Sequence, residues 1–104
     1  MDRFTLNQVE RITGIPENKL AYWLKEFPEL RALAHEEGEI YLDYDGLGLV
    51  LRLELLLERS GYTIAGARRQ LALGEAPEPD RRRLIERILV VRAELEQLRQ
   101  IFTE

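Results

Sequence analysis

Few side chains in this sequence of 104 residues are of a type and spacing that could do covalent or metal chemistry. There is one histidine, His35, and no cysteine. A thiolate metal site, a disulfide framework and a thiol redox centre are therefore excluded. His35 is followed by Glu36 and Glu37, a trio that could hold a stray cation, but an exposed hairpin histidine is the simpler reading. The remaining carboxylates have no apolar pocket around them to tune a general acid against a general base, and neither a Gly-rich phosphate loop nor a metal-spaced ligand cluster is present. Tyr22 and Trp23 could together suggest a base-stacking platform. Helical spacing makes Trp23 core, however, and leaves only Tyr22 facing outward. No catalytic residue, cofactor or metal is expected, and the chain does not read as an enzyme.

What the sequence does encode is a set of helices. Thr5 followed by Gln8 forms a capping-box signature, Leu6, Val9 and Ile12 give one helical face, and Gly14 stops it. Pro16 then presets a second start, with Leu20, Trp23, Leu24 and Phe27 as its buried side. Two short helices joined by a tight glycine turn predict a helix-turn-helix. Phe27-Pro28 ends the second helix, because a residue before proline avoids the α region. From Leu33 to Tyr44, Ile40, Leu42 and Tyr44 alternate with polar residues around Gly38, the pattern of a short hairpin and hence of a wing.

The densest apolar stretch is Leu47–Glu58, LGLVLRLELLLE, read as a helix that closes at Gly61. Its apolar residues fall on two arcs. Leu49, Val50, Leu53, Leu56 and Leu57 suit the domain core, whereas Leu47, Leu51 and Leu55 form a second row that needs another cover. Thr63 caps a fourth helix through Leu71, in which Gly66 is expected to permit a close helix approach. Gly74 to Pro79 is the clearest breaker. After it Asp80 caps a last helix whose Leu84, Ile88, Val91, Leu95, Leu98 and Phe102 are spaced 4, 3, 4, 3, 4, a heptad seam roughly 28 Å long. Such a seam is expected to pair with a second copy that also covers Leu47, Leu51 and Leu55. Residues 1–74 are thus expected to form the head, 75–80 a Pro-rich hinge and 81–104 a dimerisation helix.

Composition and charge narrow the function. With 45% apolar and 33% charged residues, and no signal-peptide core or membrane-length run, the chain reads as a globular cytoplasmic protein. The net charge of −4 is unevenly spread: residues 36–48 hold five acids and no base, while residues 49–74 hold four bases and two acids. Duplex binding usually rests on a basic footprint, and none of any strength is apparent here.

In order and in words, the chain resembles the MerR family of winged helix-turn-helix transcription regulators. FTLNQVERITGIPENKLAYWLKEFPEL is similar to that family's first two helices, and SGYTIAGARRQL to a segment common after its third. The resemblance implies a mostly α fold, a winged helix-turn-helix with a C-terminal antiparallel coiled-coil dimerisation helix, bound as a homodimer to promoter duplex DNA. Since the chain stops at Glu104, no effector domain is expected. Asn18 and Lys19 would read bases from the start of the recognition helix, and Tyr22, Lys25, Arg11 and Arg31 would hold phosphates.

Departures from the family pattern fall on the DNA side. Ala21 and Ile40 stand where the family usually has arginine, and Ala32 and Ala34 where a Pro-Arg-rich stretch is typical. Loss of about six cationic contacts per dimer flattens the salt dependence of duplex affinity by roughly five units. Glu36, Glu37, Glu39, Asp43 and Asp45 also repel a duplex from the wing. A second function is therefore weighed beside the first: a winged-helix interaction module whose acidic wing binds a basic protein surface, or which heterodimerises with a DNA-binding relative.

Overall fold

A computed structural model of the chain describes residues 2–74, 78 and 80–103, and the side chains of these up to residue 100. The expected capping box is present in full: the Thr5 hydroxyl accepts from Gln8 N–H at 3.2 Å, and the Gln8 carboxamide accepts from Thr5 N–H at 2.9 Å. It opens helix α1, Leu6–Thr13, which buries Val9 and Ile12 and closes on Gly14 in the left-handed region at φ 80°. Helix α2, Glu17–Glu26, follows, and a single turn, α3, Pro28–Arg31, starts on the proline that ends it.

The hairpin is formed by β2, Ala34–Glu37, and β3, Glu39–Leu42, turning at Gly38 with φ 83°. Glu36 faces Ile40 and His35 faces Tyr41 across the antiparallel ladder. A third strand not expected from the hairpin pattern, β1, Phe4–Thr5, pairs with β3 so that the sheet order is β1-β3-β2. It ties the wing to the start of α1.

The central apolar stretch forms α4, Tyr44–Glu54, capped by Asp43, and then changes to a π-helical turn over Leu55–Arg59. Ser60 N–H reaches Leu55 O, five residues back, at 2.9 Å. Leu49, Val50, Leu53 and Leu56 are buried as expected. Gly46 lets α4 approach the sheet, since a Cβ there would lie 3.0 Å from Leu42. Helix α5, Ile64–Ala72, is capped by the Thr63 hydroxyl. The close approach at Gly66 is to Tyr62 and Thr63 of its own cap and not, as expected, to another helix.

Helix α6, Arg81–Thr103, departs most from expectation. It lies against α1 of the same chain, with Ile88 and Val91 buried and Leu84 and Leu95 half-buried. Long-range polar contacts accompany this apolar burial and fix its register. Arg87 donates to Ile12 O at 3.1 Å and Arg11 O at 3.0 Å, satisfying carbonyls at the end of α1, where helices lack internal donors. Glu94 pairs with Arg11, and Arg92 pairs with Asp2, donates to the Tyr44 hydroxyl at 3.0 Å and stands 5.8 Å from the Phe4 ring.

Four seam positions expected to face a second copy are thus turned to the chain's own body. The second row is corrected as well: Leu47 is fully buried in the head, and half-buried Leu51 and Leu55 line a cleft of about 430 Å³ closed by Leu84 and Arg87 of the same chain. Leu98 is exposed, and the Phe102 side chain lies outside the description. Of the expected hinge, residues 75–77 and 79 lie outside the described residues.

Candidate nucleic-acid interface

The turn between α1 and α2 is set by hydrogen bonds that hold α2 rigidly against the core. The Thr13 hydroxyl donates to Val9 O at 2.7 Å and accepts from Ile15 N–H at 3.1 Å, and Gly14 N–H reaches Glu10 O at 2.7 Å. Pro16 O accepts from the Lys19 and Leu20 amides in the first turn of α2. Leu20, Trp23 and Leu24 are buried, with Phe27 behind them. Since a helix advances about 100° per residue, the opposite face must carry positions 18, 22 and 25.

Asn18, Tyr22 and Lys25 are indeed exposed together along one stripe of α2, with Ala21 between them. Tyr22 is 51% exposed, and neither its hydroxyl nor the Lys25 ammonium has a partner among the described residues. Asn18 accepts from Lys19 N–H through Oδ1 at 3.0 Å, which leaves its NH2 group directed to solvent contacts.

The other three residues singled out from the sequence are engaged within the chain. Lys19 pairs with Glu58 at the end of the π-helical turn. Arg11 is held by Glu94, and Arg31 donates to the carbonyls of Leu24, at 3.0 Å, and Lys25, capping the end of α2. These pairings span up to 83 residues of sequence, and no local pattern announces them. Next to Glu58 in sequence, exposed Arg59 lines the cleft with Thr13 at the end of α1 and Arg83 and Arg87 of α6.

Carboxylates bound the site on two sides. Glu10 accepts from Glu17 N–H at 2.6 Å, so two acids occupy the positive end of the α2 dipole, where a phosphate would otherwise settle. On the wing Glu36, Glu37 and Glu39 are exposed, and Glu37 is paired with Arg3 at 2.9 Å. The charge of Glu39 and partial burial push the Tyr41 hydroxyl above its ordinary value of 10.0.

At the base of the wing His35 Nε2 lies 3.1 Å from Asp43 Oδ2, while Asp43 Oδ1 accepts from Gly46 N–H at 3.1 Å. Burial raises the Asp43 carboxyl, but these hydrogen bonds outweigh it and hold the group below the usual 3.8. With half-buried Ile40 and Ala34 in place, neither wing strand carries a lysine or an arginine.

Among the described residues there is no group of three or more His, Asp or Glu placed to hold a metal, and no helix is long and apolar enough to cross a membrane. A family model described as MerR HTH family regulatory protein matches residues 4–73. No curated protein and no solved structure matches the chain.

Proposed function

Because the chain belongs to the MerR family of helix-turn-helix regulatory proteins, we propose that it is a transcriptional regulator that binds promoter duplex in the cytoplasm as a homodimer. The observation that carries this reading is the exposed stripe Asn18, Tyr22 and Lys25 on the outward face of α2. In the major groove, Asn18 at the start of the helix would meet base edges and Tyr22 and Lys25 would meet phosphates. Lys19, Arg11 and Arg31 join them only after exchanging their present partners.

Dimerisation would use what α6 leaves uncovered. Ile85, Leu89, Val90 and Leu98 are exposed apolar residues on this helix, and they offer a second copy a surface that the seam, closed on α1, does not. Residues 1–74 would then act as the reading head and 81–104 as the coupling helix.

The test is fluorescence anisotropy with random duplex and with genomic fragments at 50 and 200 mM salt. Binding that weakens with salt is expected. Asn18→Ala should cost about 1–3 kcal/mol on the preferred fragment with little effect on random duplex, while Lys25→Ala weakens both and lowers the salt slope by roughly one unit per site. Absence of binding at 50 mM salt refutes the reading.

That outcome would favour a second one, supported by the exposed carboxylates of Glu36 and Glu39 at the wing tip. In it the wing engages a basic protein surface, and the fold serves as an interaction module.

A further inference from the structure

Between α4 and α6 runs an open groove of about 860 Å³, in the size range of small-molecule sites, roughly 300–1,000 Å³. Its walls include Leu33, Leu49 and Ile85, and its floor at Gly48 is bare: a Cβ built there meets nothing within 4 Å. One end is cationic. Arg52 and Arg81 both line the groove, and both guanidiniums point at the same carboxylate, that of Glu78, at 2.8 Å from Arg52 and 3.8 Å from Arg81.

Glu78 holds Arg52 by one nitrogen only. Among the described residues the Nε of Arg52 is buried without a hydrogen-bond partner, although a guanidinium offers a carboxylate two parallel N–H donors through Nε and NH2. An unsatisfied buried donor is a destabilised one. The groove therefore has an apolar body and a carboxylate-binding end already filled by a side chain of the protein.

The opposite end has the other sign. Asp45 lines the groove two turns before Arg52 on the same helix, about 10 Å away along the axis. Glu29, also on the wall, is neutralised by Arg68 at 2.9 and 3.1 Å. A ligand carrying one anionic end matches this polarity, and one carrying two does not.

We infer that the α4–α6 groove is a binding site for an apolar monocarboxylate, whose carboxylate replaces that of Glu78 on Arg52 and Arg81 and whose hydrocarbon body lies over Gly48 against Leu49 and Ile85. Because the site joins the head to α6, its occupation would set how α6 sits on the head. The inference does not rest on DNA binding, and its test uses none.

The full chain is titrated with decanoate by calorimetry, with the Arg52 Nε–H resonance followed by NMR. Decanoate should bind and shift that resonance. Octanoate should bind about tenfold more weakly for its two fewer buried methylenes, and decanol and decanedioate at least tenfold more weakly for the missing carboxylate and the clash with Asp45. Glu78→Gln should tighten decanoate severalfold by removing the competing carboxylate, an effect opposite to that of structural damage. Gly48→Phe should abolish binding while cooperative unfolding is kept, since the ring enters open space. The inference is overturned by no binding at millimolar decanoate, by equal binding of decanol or decanedioate, or by undiminished binding to the folded Gly48→Phe variant.

Discussion

Lys19 has a carboxylate of its own protein as counter-ion, and Glu58 thereby removes one cation from the α2 surface. Both partners are two-fifths or more exposed, so the pair contributes little to stability. Glu58→Gln is accordingly expected to leave unfolding unchanged and to raise duplex affinity by freeing Lys19 for base edges, and to steepen the salt slope because a repelling carboxylate beside the duplex is removed. An unchanged affinity and slope would show that Lys19 does not face the duplex.

Asp43 belongs to a different class, because its depressed carboxyl joins the wing to α4. A group whose folded value lies below its unfolded one contributes stability that is complete above the unfolded value, near 3.8, and is lost as pH falls through the folded value. Urea unfolding should therefore show Asp43→Asn to be less stable than the native chain at pH 7 but with a smaller further loss between pH 7 and pH 3. Local features such as the Thr5–Gln8 box and the Asp80 cap were legible in the sequence, since both partners lie within three residues. Lys19–Glu58, Arg68–Glu29 and Arg11–Glu94 were not, because partners 39 to 83 residues apart meet only when helices pack.

Among the elements, α4 contains two glycines with opposite roles. A methyl group at Gly46 would press on Leu42, which is fully buried, whereas one at Gly48 would enter the open groove. Gly46→Ala is expected to destabilise by about 1 kcal/mol or more, overpacking outweighing helix propensity, and Gly48→Ala to stabilise by about 0.5–1 kcal/mol. Equal effects in thermal unfolding would mean that α4 does not sit on β3 in this way. The helical period located α1, α2 and α5, but the switch to π geometry at Leu55 was not legible. Leu-Leu-Leu-Glu-Arg is an ordinary helical string, and nothing local forces the i to i+5 hydrogen bond.

For the molecule as a whole, the decisive feature is that α6 closes on α1 through Ile88 and Val91 and leaves Ile85, Leu89 and Val90 outside. Ile88→Ala should cost about 2–4 kcal/mol of unfolding free energy. Leu89→Ala should change monomer stability by no more than about 0.5 kcal/mol and instead weaken self-association in sedimentation. If Ile88→Ala is silent and Leu89→Ala is costly, α6 is rotated on the head.

Periodicity, caps and breakers by themselves determined that there are helices here, a hairpin between them, a buried Trp23 face behind Tyr22, and a seam on the last helix. Each of these is a property of a short window, set by turn geometry and alternation of apolar residues. Only the tertiary structure decided what covers that seam and which cations remain free. A stripe of Leu, Ile and Val presents the same chemistry to α1 as to another chain, and the choice is made by distant groups, Arg87 on the carbonyls of α1 and Arg92 on Asp2, that meet only once the chain has folded.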